Sequence, residues 1–396
     1  MSEKWVQAWG QAHSALSFFY YPSSKKTYRM IMRADVSGKK IRIELSNEHA
    51  KNDVYIGEIT AAVCSEDGVI SNSFRRLTVK GKESFRLKVG EVVTTDETAF
   101  EVKTGEYISI SIYVEKGSLR SGNLIDNVEL ITARGNKTHT KALENQPRIR
   151  DSVRKVASKV LGMYFHKPIP LFQSIQLLND ENASSIIVFG DSISQQGYWT
   201  NAFAKRITDK FPGRYSVVNK SIMGNRIRLD FHRRFICKGL FGISALNRLN
   251  RDVLNYDDCE YVIFALGTND FLQYGTISSP KSEKPTAKQV FDKVVEISDK
   301  LKGKGKKMIV FNIMNFGECI DSKPEKEKMV AQFNTMISEN KELFYAVYDQ
   351  ASLTVNPDKP TCSKLEYLGG DKLHPNLVGG RLVADNINLD LFKSDN

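Results

Sequence analysis

"SSIIVFGDSISQQGYW", residues 184–199, sets an apolar run, Ile186 to Phe189, directly against Gly190-Asp191-Ser192. Consecutive aliphatic and aromatic residues leave no polar face, which is how a strand buried on both sides reads; such strands belong to parallel sheets covered by helices. A strand that stops on a glycine, an acid and a hydroxyl has two readings. It is an ordinary turn, since all three are common turn residues, or it presents Ser192 as a nucleophile at the sheet edge. One position does not separate them, so the other strand ends must.

Outward from this stretch the same grammar continues. "YSVVN", "YVIFALG", "KMIVFNIM" and "FYAVYD" are short, mostly continuous apolar runs. Amphipathic segments lie between them: "WTNAFAKRITDKF" repeats Trp199, Phe203, Ile207 and Phe211 every four residues, and "TAKQVFDKVVEISDKL" sets Val290, Phe291, Val294, Val295, Ile297 and Leu301 on one helical face. Alternating strand and helix predicts right-handed crossovers and a parallel sheet with helices on both faces. "KGKGKK", 302–307, reads as a helix end and turn with basic residues at the negative pole. It lacks the phosphate-loop pattern.

Residues 1–145 differ. "KKIRIELSN" and "EYISISIYVEK" alternate apolar and polar residues almost strictly, and several such runs are bounded by Gly, Asn, Asp and Ser. Short strands at this spacing, with no helical pattern between them, predict an antiparallel β-sandwich. Residues 146–180, with the Pro-containing "HKPIPLF", are expected to connect the two halves, and "SIQLL" to be a strand that still packs on the sandwich. The expected organisation is a sandwich over 1–145, a connection over 146–180 and an α/β domain over 181–396, as the length of 396 residues suits two domains.

The hydrophobic share, 41%, the charged share, 26%, and 21 Phe and 15 Tyr exclude a disordered chain. No apolar run approaches the roughly 20 residues that span a bilayer, and the first residues lack a basic segment followed by an apolar one. A cytoplasmic protein without stable membrane insertion is therefore expected. Five scattered cysteines, Cys64, Cys237, Cys259, Cys319 and Cys362, show no paired or metal-ligand spacing, so neither a disulfide frame nor a metal is expected, and no cofactor. The net charge of +11 raises the question of nucleic acid. The densest basic stretch, 226–251, has few aromatics and no nucleic-acid motif around it; it reads as a solvated or interface face.

In an open α/β sheet, function gathers beyond the carboxyl ends of the strands. There lie Gly190-Asp191-Ser192, then "NKSIMGNR" (219–226), "GTND" (267–270) and, past the last strand, "GGDKLHPN" (369–376). A serine hydroxyl needs a base to take its proton and the base needs an orienting partner. His374 has Asp371 three residues before it in a Gly/Pro-bounded loop; His13, His49, His139, His166 and His232 read as structural or surface groups. Acyl transfer also needs donors for an oxyanion. The Ser192 N–H, the Gly224 N–H and the Asn269 amide can supply three, each worth on the order of 3 kcal/mol in the barrier. Each piece alone is common; their placement at four strand ends gives Ser192 a purpose.

"FGDSIS", "NKSIMGN", "GTND" and "DKLHP" together resemble the blocks of the SGNH, or GDSL-type, esterases and lipases over roughly 180–392. The resemblance implies a three-layer flavodoxin-like hydrolase domain. It makes Ser192 the nucleophile, His374 the base, Asp371 its partner, and Ser192, Gly224 and Asn269 the oxyanion hole. "MRADVSGKKIRIELSN" and "SALNRLNRDVL" resemble a subgroup that carries a jelly-roll-like β-sandwich before that domain. Ile193 stands where the family has Leu. Gln195 and Gln196 stand where relatives often have an acid, which points at the substrate side. Asp191, Gln195 and Asn225 are expected to contact substrate.

The similarity of the sandwich to that of two-domain carbohydrate acetylesterases implies a serine esterase that removes a short acyl group, acetyl by preference, from a carbohydrate or other small ester. The same triad also suits a lysophospholipase, thioesterase or acyltransferase, for which "FICKGLFGISAL" (235–246) is a candidate lid. A non-enzymatic binding module has no need of Ser192, Gly224, Asn269, Asp371 and His374 together. The expected partner is a small or oligosaccharide ester, not nucleic acid, and a homo-oligomer is left open.

Overall fold

The computed structural model describes residues 3–16, 21–70, 74–125, 127–144, 168–179, 182–231 and 239–393. Two compact units divide them: the described residues up to Ser185 with Thr208–Val218, and Ile186–Ile207 with those from Asn219 onward.

The first unit is built on β1 (Lys4–Gly10), β2 (Lys26–Arg33), β3 (Gly38–Ser46), β4 (Val54–Cys64), β5 (Thr98–Val102), β6 (Tyr107–Lys116), β7 (Glu129–Arg134) and β8 (Phe172–Asn179). Two antiparallel sheets result, ordered β1-β8-β3-β5 and β7-β2-β6-β4. The strict alternation of β6 puts Ile108, Ile110, Ile112 and Val114 into one core with Ile41, Ile43 and Leu45 of β3 and Ile175 and Leu177 of β8. Each such side chain contributes roughly 1.5–3 kcal/mol by leaving water. This shared core makes the unit a β-sandwich.

The strand expected at "SIQLL" is β8, which pairs antiparallel with both β1 and β3 of the first sheet, while Ile169–Pro170 pairs with Ser121–Asn123 in a separate small sheet. Every residue of β8 is buried, polar ones included. Of the expected connection, 146–167 and 180 lie outside the described residues. The serines on the other face of β6 are buried as well. Ser109 and Ser111 are buried, and the buried Arg29 donates to Ser111 Oγ at 2.8 Å and to the Lys137 and Thr138 carbonyls at 3.3 and 3.2 Å. A buried guanidinium is tolerated only when its donors are met, and the 137–141 backbone meets them.

The second structural theme is a five-stranded parallel sheet with helices. Its strands are β9 (Ser184–Gly190), β10 (Tyr215–Asn219), β11 (Cys259–Ala265), β12 (Lys307–Phe311) and β13 (Ala346–Tyr348), in the order β10-β9-β11-β12-β13. The helices include α1 (Ser192–Gln195), α2 (Tyr198–Lys210), α3 (Ala245–Leu249), α4 (Thr268–Leu272), α5 (Ala287–Lys302), α6 (Pro324–Glu339) and α7 (Leu377–Asp385). The α2 stripe is buried at Trp199, Phe203 and Ile207. α5 starts where Thr286 caps the Gln289 N–H and Gln289 reaches back to the Thr286 N–H, a capping box. The strand order is that of a flavodoxin-like sheet. It reverses between β9 and β11, so the ligand crevice is expected beyond the ends of these two strands. Among the described residues, no helix is long and apolar enough to cross a membrane.

Candidate active site

β9 ends at Gly190 and the chain turns at once into α1. Asp191 makes that turn as the N-cap: its Oδ1 accepts from the Ile193 N–H at 3.0 Å and its carbonyl accepts from the Ser194 and Gln195 N–H groups. Ser192 is thereby the first helical residue, half-buried, with its hydroxyl turned to His374: Ser192 Oγ to His374 Nε2 is 2.7 Å. His374 Nδ1 lies 2.6 Å from Asp371 Oδ2. A carboxylate only accepts, so Nδ1 carries the proton and Nε2 is left to accept from the Ser192 hydroxyl.

The loop that carries the pair is shaped by its own sequence. Lys372 takes a left-handed conformation, φ 57°, which folds the chain back so that Leu373 N–H and His374 N–H both donate to Asp371 Oδ1, at 3.1 and 3.0 Å. Gly369 N–H closes the loop on the His374 carbonyl at 2.8 Å. Burial alone would raise the Asp371 pKa. The bond and charge of His374 and the two backbone donors outweigh it and hold the carboxyl down at about 2. Asp371 is an anion at any pH where the histidine can act.

Two further strand ends complete the arrangement. After β10, Gly224 has φ +65°, and a Cβ there would lie 2.4 Å from the Phe241 ring. Neither the Gly224 N–H nor the Ser192 N–H donates to a protein acceptor among the described residues. After β11, Asn269 gives one amide hydrogen to Asp191 Oδ2 at 3.2 Å and accepts from Gln273 Nε2 at 3.0 Å; Gln273 in turn donates to the Gly224 carbonyl at 2.8 Å. The structure thus brings Ser192, His374 and Asp371 into one hydrogen-bonded chain and links Asn269 to both the Asp191 turn and the Gly224 loop. Gly224→Ala is expected to destabilise the fold by about 1–3 kcal/mol, because alanine meets both the positive φ and the ring. Urea unfolding measures this.

Of the three residues expected to contact substrate, Asp191 and Asn225 spend their side chains on the scaffold, and Gln195 is buried. Asp191 is 1% exposed, with both carboxylate oxygens taken by Ile193 and Asn269. Burial pushes its carboxyl up to about 6, opposed by the Ile193 N–H and the charge of His374. Gln195 is 5% exposed on α1. Asn225 is 1% exposed, donating to the Phe241 and Ile243 carbonyls at 2.8 and 2.7 Å and accepting from Arg248 Nε at 2.9 Å. A strand end in this fold needs polar side chains to satisfy the loop backbone as much as it needs them for substrate.

The basic stretch 226–251 is not a solvated face at its described positions Arg226 and Arg248. Arg226 is buried and pairs with Glu283 at 2.5 Å, and Arg248 is 0% exposed. Arg233, Arg234 and Lys238, with His232, Cys237 and the start of the expected lid, lie outside the described residues, as does His166. Sequence reasoning missed Asp270, whose oxygens accept from Ile227 N–H at 2.7 Å and Arg228 N–H at 3.2 Å and so hold the chain after Gly224. It also missed Arg248, read only as part of the basic stretch, as a support of the Gly190 and Lys220 carbonyls. The buried polar "ND" of "GTND" was the available signal for Asp270.

A model of the GDSL-like lipase/acylhydrolase family matches residues 186–387, more than half of the chain. The chain belongs to this family and is a GDSL-type carboxylic ester hydrolase. Among solved structures, it is similar to an acetyl xylan esterase, AlAXEase, at 21% identity over 51% of this chain and 96% of that one, with a TM-score of 0.39. It is similar to the acetylxylan esterase Axe2 from Geobacillus stearothermophilus at 15% identity, 54% and 98% coverage and a TM-score of 0.41. A GDSL-like lipase from Bacteroides thetaiotaomicron matches at 15% identity, 54% and 90% coverage and a TM-score of 0.38. No curated protein matches the chain.

Proposed function

We propose that this protein is a serine esterase that removes a short acyl group, acetyl by preference, from a carbohydrate or other small ester through an acyl-enzyme. The observation that carries this reading is the unbroken chain from Ser192 Oγ to His374 at 2.7 Å and on to Asp371 at 2.6 Å, beside backbone N–H groups with no protein acceptor. His374 Nε2 takes the hydroxyl proton as Ser192 Oγ attacks the ester carbonyl. The Ser192 and Gly224 N–H groups and the second Asn269 amide hydrogen receive the charge that develops on the carbonyl oxygen. His374 then returns the proton to the leaving alcohol, and a water activated by the same nitrogen releases the acid.

Support for a small acyl group comes from Phe241. Its ring stands against Gly224 Cα, beside one of the proposed oxyanion donors, and lies tilted at 50° to the Phe231 ring, 4.6 Å between centroids. A longer-chain reading, lysophospholipase or thioesterase, is favoured by Leu377 and Val378, which are 69% and 60% exposed directly after the His374 loop. A series of p-nitrophenyl esters of graded length separates the two. The expected result is a maximum of kcat/KM at acetate, with Ser192 as the residue labelled by a fluorophosphonate. A maximum at long acyl chains overturns the acetyl preference, and failure of Ser192 to label overturns the esterase mechanism.

A further inference from the structure

Ser192 and His374 are 182 positions apart, on elements that share no strand or helix. Something must set their spacing to hydrogen-bond distance. The Asp371 bonds do not, because Asp371 travels on the same loop as His374. Within that loop Asn376 donates to the Glu366 and Leu368 carbonyls and caps α7 through the Gly379 N–H, which again fixes the loop to its own surroundings.

Gln196 touches both sides. Its backbone N–H donates to the Ser192 carbonyl at 3.1 Å, closing the turn that holds the nucleophile. Its side-chain Nε2 donates to the Pro375 carbonyl at 2.9 Å, on the residue next to the base. With the Ser192–His374 bond at 2.7 Å, these contacts form a closed ring: Ser192 to His374, along the chain to Pro375, across to Gln196, and back to Ser192. A close approach further along supports the same junction. A Cβ on Gly380 of α7 would lie 2.5 Å from Tyr198 Cβ and 3.0 Å from the Trp199 nitrogen, so α7 meets the start of α2 backbone to backbone.

We infer that Gln196 is a positioning residue that sets the distance between the base and the nucleophile, and does not contact substrate. The inference rests on the esterase reading above. Acyl transfer is sensitive to this distance, since a misplacement of about 1 Å costs on the order of 100-fold in rate. A carboxamide is the right group for the task. It donates to a carbonyl without adding charge beside an imidazole that must cycle between neutral and cationic forms.

Kinetics of Gln196→Ala and Gln196→Glu on a short-chain ester, with a thermal melt of each, test this. Gln196→Ala is expected to lower kcat by roughly 10- to 100-fold with KM unchanged. Fluorophosphonate labelling of Ser192 should slow in step. The acid limb of its kcat/KM profile should stay in place, because Asp371 still accompanies His374. Gln196→Glu keeps the length and loses the donor; it should be at least as slow, with its acid limb moved to higher pH by the added anion. A wild-type kcat in Gln196→Ala overturns the inference, as does a change confined to KM, which would make Gln196 a substrate contact. If Gln196→Ala is fully active while Ser192→Ala is inactive, the inference falls and the esterase reading stands. Residual activity in Ser192→Ala at the wild-type level removes both.

Discussion

Ser192→Ala and His374→Ala are each expected to lower kcat on an unactivated acetate ester by roughly 10⁶, and the double variant to lose no more than either. The reason is the geometry of one proton. The Ser192 hydroxyl donates only to His374 Nε2, at 2.7 Å, and without that acceptor the serine attacks as a weakly nucleophilic alcohol. Without the serine, the histidine has nothing to activate but water. Residues that act through the same proton fail together, so their losses do not add. Asp371→Asn should cost less, roughly 10⁴, since it leaves both groups present. An amide set against His374 Nδ1 favours the tautomer with the proton on Nε2, where it cannot accept from serine. Its readout includes acid stability. The folded Asp371 pKa is near 2, below the ordinary carboxylate value, so its contribution is complete above about pH 4 and fades as pH falls toward 2. The Asn variant should lose that part of the acid transition. A double variant slower than each single by a further large factor would show that Ser192 and His374 act independently.

How far the sequence could be read depended on where side chains spend their hydrogen bonds. The apolar runs of β9, β11 and β12 were legible because burial on both faces leaves an unbroken apolar stretch, and the stripes of α2 and α5 because burial of one helical face leaves a period. The grouping of Ser192, Asp371 and His374 was legible because the proposed acyl transfer needs those residue types at strand ends. The roles of Asp191, Asn225 and Arg248 were not. A polar residue beside a nucleophile looks the same in sequence whether it meets substrate or a loop carbonyl. Only the fold reveals that Asn225 spends its side chain on Phe241, Ile243 and Arg248. The net charge misled most directly, since arginines were read as solvated where two of them are interior.

The larger of those two misreadings leads to the second expected result: Arg248→Met should destabilise the protein by about 3–5 kcal/mol. Arg248 is wholly buried and donates to four groups: Asn225 Oδ1 at 2.9 Å, the Lys220 carbonyl at 2.6 Å, Asp252 Oδ2 at 3.0 Å and the Gly190 carbonyl at 3.1 Å. Its guanidinium lies 3.9 Å over the Phe189 ring. Burial pulls its pKa down to about 10, with Asp252 opposing the fall, so it remains a cation at neutral pH. Methionine fills much of the volume and meets none of the acceptors. Asp252 keeps Arg251, at 2.8 and 2.9 Å, so the main loss is not an orphaned acid. It is the orphaning of the end of β9 and of the 220–225 loop, where each unmet acceptor costs about 1–3 kcal/mol. These are the segments that carry Ser192 and Gly224, so kcat of the folded fraction should fall as well. Arg248→Lys should not rescue, because an ammonium has no planar fork to reach carbonyls on two segments and a carboxylate together. Urea unfolding of both variants beside kcat on the acetate ester measures the two effects. A Met variant within about 0.5 kcal/mol of wild type would mean that the loop reaches its conformation without the arginine.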